Sequence, residues 1–475
     1  MNIDEAIKYL YSLGNETLAM KLGLDSVRAL ARALGNPQKK FPAIHIAGTN
    51  GKGSTAAMTA SILRSAGLRA GLYTSPHLVS ITERIRVDQQ EIAPDEFARL
   101  ATEVRAASDQ LVADGVLQAP PTFFEQVTMI GFLYFAEKKI DLAVLEVGLG
   151  GRLDATNICQ PVVTAITPIG FDHQQYLGDT LAAIAGEKAG IVKSGVPVVI
   201  APQHDEAMKA IIARCEELNA PMISTSDQFD AEAADDAENI GRYRFRYRTP
   251  RDEYAAQLSL RGRHQITNAL AAIHIAEQLR IAGFDIPPPA IVEGLSKAEW
   301  PGRLEMIRVS PSQAPLLPPV LLDGAHNAAG ARVLRDFLDE HFSSKSPGYA
   351  SLPACLAPMT DRLRESSTLE AMRTQGIPIT IVFGAMADKA ISEISEILFP
   401  VARQIIATRI ANPRAADPSA IADAANRDVV CLENMSEAMD EALRITPQHG
   451  LICVCGSLFL VGEVRQALLQ PAIAG

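Results

Sequence analysis

The sequence predicts an α/β protein: a P-loop-type domain with a mostly parallel sheet, followed by a smaller Rossmann-like α/β domain. Three observations carry this. Apolar strand-like runs alternate with helical patterns over most of the 475 residues, the signature of parallel sheets with helical crossovers. A glycine-rich turn, Gly48-Thr49-Asn50-Gly51-Lys52-Gly53-Ser54-Thr55, joins an apolar strand to a helix. The only tryptophan precedes a Pro-Gly turn in Glu299-Trp300-Pro301-Gly302-Arg303, after which the alternation restarts.

In chain order, strands are expected at 43–47, 71–74, 142–147, 162–167 and 196–200. Helices are expected at 54–66, 94–113, 123–138, 179–189, 206–218 and 264–279. Residues 242–247 alternate Arg with Tyr or Phe. That alternation suits a surface hairpin strand with its arginines on the wet face better than an RNA-binding patch. Beyond 299–303, read as a linker, strands are expected at 320–322, 379–383, 404–408, 429–432 and 451–454. The organisation is thus a first domain at 1–298 and a second at 304–475, of about 170 residues and within the usual domain range. Residues 343–377, rich in Ser and Pro, read as a surface insertion with one helix at 363–373.

A hydrophobic fraction of 48% allows sizeable cores, and a net charge of −11 argues against a nucleic-acid or acidic-membrane surface. The first residues lack a basic stretch followed by an apolar one, so no signal peptide is expected. No run approaches the roughly 18 apolar residues that span a bilayer. Six scattered cysteines, with only Cys453 and Cys455 close together, suit buried free thiols in a reducing cytoplasm.

The chemistry starts at the glycine-rich turn. Such a turn leaves backbone N–H groups free for an anion at the positive end of a helix dipole. Lys52 offers a point charge to the outer phosphates of ATP, and the Ser54 hydroxyl can take a place on Mg²⁺. The pattern departs from the commonest phosphate loop: Ile46 stands two residues before the first glycine, and Gly53 separates the lysine from the hydroxyl. Glu146 ends the strand at 142–147, on the rim where open α/β sheets bind ligands, and a carboxylate there can hold Mg²⁺. Gly148, Gly150 and Gly151 suggest a dinucleotide turn, but Leu153 stands where its third glycine belongs. His173, just past a strand end, is a metal ligand or a satisfied turn residue; Glu146 and the phosphate loop nearby favour the ligand. Lys188, within Ala185-Gly186-Glu187-Lys188-Ala189-Gly190, can lie against packed backbone, where burial frees its neutral amine to add CO₂. The alternative is an ordinary helix lysine.

The runs HIAGTNGKGST, YTSPHL, ITERIRV, TFFEQVT, LEVGLGGRLDATN, FDHQQYLG, EKAGIVK, WPGRLE and LLDGAHN occur in this order. Together they resemble the folylpolyglutamate synthases of the Mur-ligase superfamily, and among bacterial members the bifunctional dihydrofolate synthase/folylpolyglutamate synthases. The likeness runs from about residue 22 to the carboxyl end. It implies ATP on Gly51, Lys52, Gly53 and Ser54, and Mg²⁺ on Ser54, Ser75, Glu146 and His173. Lys188 matches a carbamylated lysine. Asn268, Arg303 and Asp323 match ATP contacts, and His326 a histidine near the terminal phosphate. Thr122, Phe123, Phe124 and Glu125, with Leu153, Asp154 and Ala155, match the pterin-side pocket. The segment with Gly23 and Leu24 matches a loop covering that pocket. At Met386-Ala387-Asp388-Lys389-Ala390 the chain departs from the common Asp-Lys-Asp.

The resemblance implies an ATP-dependent ligase that adds L-glutamate to folates and to dihydropteroate through an acyl phosphate. It also implies a cytoplasmic monomer with a nucleotide between its domains. Two rivals remain. Another Mur-superfamily ligase would bind a UDP-sugar and usually carry an amino-terminal domain, for which a loop beginning at Gly48 leaves little room. A nucleotide-binding regulator would hydrolyse ATP slowly without a product, and would need no pterin-side motif.

Overall fold

The computed structural model describes residues 1–14, 23–225, 228–234, 239–308, 317–343 and 376–469. The chain divides into two compact units. The first comprises Met1–Asp230, Arg246–Gln257 and Gln265–Glu299, the second Ala231–Phe245, Leu258–His264 and Trp300–Gly475.

The crossing at Glu299/Trp300 coincides with the expected linker. Upstream, the contiguous 1–298 domain needs correction, because Ala231–Phe245 and Leu258–His264 belong to the second unit. Packing explains this. Tyr243 is buried and its hydroxyl donates to Glu340 Oε1 at 2.5 Å, while the Phe337 ring closes over Gly241. Partners so far apart in sequence leave no local signal.

The first unit is built on an eight-stranded sheet. Its strands are β1 (Ala43–Ala47), β2 (Ala70–Tyr73), β3 (Ile85–Val87), β4 (Gln90–Glu91), β5 (Leu142–Glu146), β6 (Pro161–Ile166), β7 (Val198–Ile200) and β8 (Met222–Ser224). They lie in the order β4-β3-β2-β5-β1-β6-β7-β8. From β2 to β8 every neighbouring pair is parallel, and only β3 and β4 add antiparallel edges. The central strands β1 and β5 are buried throughout, as parallel strands covered on both faces must be. The register matters for function. Ile46 is paired with Glu146, Tyr73 with Leu145, and Ala47 with Ile166. The carboxyl ends of β2, β5, β1 and β6 are therefore level, and the segments leaving them share one rim.

The helix Phe123–Lys138 is buried along most of its length. Phe41 meets two of its rings, Phe132 and Phe135, edge-on at 6.0 and 5.9 Å, arrangements worth about 0.5–1.5 kcal/mol beyond area burial. Two helices absent from the sequence reading, Ile3–Ser12 and Asp25–Ala33, join the same core through Ala6, Leu10, Val27 and Leu30.

A three-stranded sheet holds β9 (Asp230–Ala233), β10 (Tyr243–Arg248) and β11 (Glu253–Gln257). In β10, Tyr243, Phe245 and Tyr247 are buried while Arg244, Arg246 and Arg248 are exposed, the alternation of a half-buried strand.

The second unit contains β12 (Glu305–Ile307), β13 (Val320–Leu322), β14 (Ile379–Phe383), β15 (Gln404–Thr408), β16 (Val430–Leu432) and β17 (Leu451–Cys455), in the order β12-β13-β17-β14-β15-β16. Only β12 is antiparallel. Cys453 and Cys455 are free and buried on β17. The helix expected at 363–373, and nearly all of the 343–377 insertion, lie outside the described residues. Among the described residues no helix is long and apolar enough to cross a membrane.

Candidate active site

The glycine-rich loop at 48–51 leaves β1 and enters the helix Lys52–Ser65. Gly51, the residue before that helix, has φ +87°, and a Cβ there would collide with Asn268 Oδ1. Any L-residue would be strained in this conformation as well as crowded. Hydrogen bonds fasten the loop to the segment leaving β6. Thr49 N and Asn50 N donate to Pro168 O at 3.1 and 3.2 Å. Thr49 Oγ1 donates to Gly170 O and accepts from Gly170 N, each at 3.1 Å. That segment continues to His173, so the backbone ties His173 to the glycine-rich loop.

Two lysines converge on one carbonyl. Lys188 Nζ donates to Gly48 O at 2.8 Å, and Lys52 Nζ donates to the same oxygen at 3.1 Å and to Thr49 O at 3.2 Å. Lys188 is only 4% exposed. Its burial, reinforced by the Lys52 charge, lowers its pKa from 10.5 to about 7, because an uncompensated cation is costly in a dry site. The Ala and Gly neighbours noted in the sequence let the helix Leu181–Ala189 pack this closely: a Cβ on Gly190 would overlap the backbone of Arg152.

On the other side of β1, Ser75 follows β2 and Glu146 ends β5. Ser75 N donates to Glu146 Oε2 at 3.2 Å, and Glu146 is 5% exposed. Among the described residues, the buried Ser75 hydroxyl oxygen has no hydrogen-bond partner. A buried hydroxyl left unsatisfied costs free energy, and a cation would satisfy it. Ser54 is buried in the first turn of the loop helix. His173 adopts φ +51° before the short helix Gln174–Leu177, with Nε2 3.8 Å from Asp172 Oδ1. Among the described residues no cluster of three or more His, Cys, Asp or Glu could hold a metal. The candidate set is two hydroxyls, one carboxylate and one imidazole, and its oxygen-rich character fits a hard divalent cation.

The residues expected at a pterin side divide into framework and surface. Thr122 and Glu125 cap the helix Phe123–Lys138 reciprocally: Thr122 N donates to Glu125 Oε2 at 2.7 Å, and Glu125 N to Thr122 Oγ1 at 3.3 Å. Asp154 is buried with its carboxylate turned onto its own loop. Oδ2 accepts from Gly148 N and Leu149 N at 2.9 and 3.1 Å, and Oδ1 from Thr156 N at 2.9 Å and from the Thr156 hydroxyl. Burial raises its pKa while these bonds pull it down. Leu153, partly buried, and Ala155, buried, flank it. Phe124 lies against Gly148 and meets Tyr73 edge-on at 6.2 Å. Phe123 stacks on Tyr11 at 5.3 Å, beneath the Arg84 guanidinium at 5.4 Å. Leu24 packs into the core below, next to Gly23 at φ +147°. Sequence reasoning missed Tyr11, His77 and Arg84 as neighbours of this surface. Arg84 is buried and its Nε donates to His77 Nδ1 at 2.8 Å. Its place inside ITERIRV, a run already singled out, was the available signal.

In the second unit, the Asp323–Asn327 segment leaves β13. Asp323 Oδ2 accepts from Leu304 N at 3.0 Å and Oδ1 from Ala325 N at 2.9 Å. Burial pushes its pKa up, opposed by the Arg303 charge. Arg303 NH1 donates to Gly302 O at 3.2 Å, and His326 Nδ1 lies 2.8 Å from Gly324 O. Arg303, Asp323 and His326 thus form one local group.

A nucleotide-type loop, a carboxylate and hydroxyl rim, and a second α/β unit with an Asp-Gly-Ala-His turn define the architecture of the Mur-type ligases. The Mur ligase middle domain matches residues 46–276, and the Mur ligase glutamate ligase domain matches 365–458. The chain is 34% identical over 465 residues to the dihydrofolate synthase/folylpolyglutamate synthase of Bacillus subtilis, covering 96% of this chain and 97% of the relative. It is similar to the Mycobacterium tuberculosis folylpolyglutamate synthase solved with ADP and AMPPCP, at a TM-score of 0.81 and 29% identity, over 99% and 100% of the two chains. The bifunctional folylpolyglutamate synthase/dihydrofolate synthase of Yersinia pestis, solved with AMPPNP and a Mn ion, aligns at a TM-score of 0.77 and 26% identity, over 99% and 98%. The chain belongs to the dihydrofolate synthase/folylpolyglutamate synthase family.

Proposed function

We propose that this protein is an ATP-dependent ligase that joins L-glutamate to the carboxylate of a folate, and that dihydropteroate is a second acceptor. The observation that carries the reading is the rim of the first unit. There, a glycine-rich loop with Lys52 lies one strand from a buried Glu146–Ser75 pair whose hydroxyl lacks a partner among the described residues.

The chemistry follows from the difficulty of the reaction. A carboxylate resists attack by an amine because oxide is a very poor leaving group. Transfer of the γ-phosphoryl group forms a bond from a carboxylate oxygen to phosphorus and breaks the bond to the ADP oxygen. The glutamate amine then attacks the acyl carbon and loses its proton, and phosphate departs carrying the former carboxylate oxygen. A divalent cation, Mg²⁺ in this proposal, would be held by Ser54, Ser75, Glu146 and His173. It would neutralise charge building on the transferred oxygens. Gly51, Gly53 and their neighbours present N–H groups to the phosphates, and Lys52, released from Gly48 O, adds its point charge. Asn268 supports the loop at Gly51. Phe124, with the loop that Asp154 holds, forms a wall for the flat pterin ring.

Carbamylation of Lys188 belongs to the same proposal. Its neutral amine attacks CO₂ and loses a proton, turning a buried cation into an anion that suits a second cation. The protein acts as a monomer in a reducing cytoplasm, in keeping with the free cysteines among the described residues. Phosphate release in the presence of ATP, glutamate and either tetrahydrofolate or dihydropteroate tests the reading. Release that ignores both glutamate and the pterin would sink it.

A further inference from the structure

We infer that Gln265 is a positioning residue for the phosphate-loop hydroxyl of Ser54, holding that hydroxyl as a cation ligand. This rests on the ATP-ligase reading above and adds a residue to it. Gln265 sits in the first turn of the helix His264–Ile281 and is completely buried. Its amide is fixed at both ends. Asn268 Nδ2 donates to Gln265 Oε1 at 2.8 Å, which leaves Gln265 Nε2 to donate to Ser54 Oγ at 3.4 Å. Asn268 is itself fixed, its Oδ1 lying in the space a Cβ on Gly51 would need. The relay Gly51–Asn268–Gln265–Ser54 therefore starts and ends on the phosphate loop.

The consequence is directional. A helical Ser or Thr readily turns its O–H back onto the carbonyl four residues earlier, as Thr59 does to Thr55 O at 2.8 Å in the same helix. Ser54 is placed otherwise. With one lone pair of its oxygen accepting from the Gln265 amide, the other lone pair and the proton face away from Gln265. A neutral hydroxyl ligand needs that geometry, since it binds a cation through a lone pair and directs its proton elsewhere. Without Gln265 the hydroxyl would be free to rotate.

The test is Mn²⁺ binding to protein saturated with ADP, read from loss of the free-Mn²⁺ electron paramagnetic resonance signal. The proteins compared are native, Gln265→Met, Ser54→Ala and the double variant. Met keeps the buried volume without an N–H, and Gln265→Asn, whose amide falls short of Ser54, replaces it if the Met variant is unfolded. Loss of the Gln265–Ser54 hydrogen bond predicts a Mn²⁺ affinity about three- to tenfold weaker, beyond any change in metal-free ADP affinity that follows from Asn268 losing its acceptor. In the Ser54→Ala background, Gln265→Met should add nothing further. Native Mn²⁺ affinity in Gln265→Met overturns the inference, as does a Mn²⁺ loss no larger than the loss of metal-free ADP affinity. A native protein that binds no Mn²⁺ in the presence of ADP overturns the nucleotide–cation reading itself.

Discussion

Lys188 allows the most quantitative prediction. With its pKa lowered to about 7, about three-quarters of its amine is neutral at pH 7.5, whereas an ordinary lysine near 10.5 is neutral in roughly one molecule per thousand. The nucleophile for CO₂ is thus enriched by several hundredfold, without any change in the amine itself. The sign follows from burial. The site disfavours the cation, so carbamate should be scarce below about pH 6 and should rise as pH climbs through 7. The assay is ¹³C NMR of native protein in ¹³C-bicarbonate between pH 6 and 8.5, with Lys188→Gln as the control. One carbamate resonance should grow with pH and be absent from the variant. Activity of Lys188→Gln should fall by about 10²–10³-fold and be partly restored by small carboxylates. A native spectrum without that resonance, or one unchanged in Lys188→Gln, would refute the reasoning.

Three other perturbations have defined outcomes. Lys52→Ala should lower turnover by roughly 10²–10³-fold while leaving the unfolding curve in urea unchanged; near-native turnover would show that the loop does not carry the phosphates. Asp154→Asn replaces an acceptor of N–H bonds by an amide and should cost about 1–3 kcal/mol in urea unfolding, before any effect on acceptor binding; unchanged stability would contradict its role as a loop anchor. His45 is buried, bonds the Thr156 hydroxyl through Nε2 at 2.8 Å, and has its pKa lowered by burial to about 3. Below about pH 6.5 the unfolded chain takes up a proton that the native state refuses, so this contribution is complete above 6.5 and shrinks as pH falls. Between pH 7.5 and 5.5 the native protein should lose about 1.4 kcal/mol more than His45→Gln, and equal losses would remove the argument.

Much of the fold was legible because parallel strands and their helices carry local patterns. The ranges expected for β1, β13, β14 and β15, and for the helices at 94–113 and 123–138, coincide with those observed. Short or mixed elements escaped. The helix Ile3–Ser12 buries only Ala6 and Leu10, and β4 has two exposed residues, too little for periodicity to register. Glu146 and Ser75 were readable as rim residues because each follows a recognisable strand. Their direct bond, and the shared Gly48 carbonyl of Lys52 and Lys188, depend on register and side-chain direction that no local pattern encodes. Gln265 was hidden for the same reason, since Ser54 is 211 positions away. Asp154 was singled out within LEVGLGGRLDATN, but only coordinates reveal that its oxygens face its own loop.

The central claim is that a carboxylate is activated by phosphorylation before glutamate attacks it. Placing ¹⁸O in the carboxylate of the acceptor folate, and following turnover with ATP and glutamate, tests this most directly. An acyl phosphate requires one labelled oxygen to leave with each phosphate released, so the phosphate must carry ¹⁸O in proportion to product formed. Unlabelled phosphate accompanying full amide formation would contradict the account.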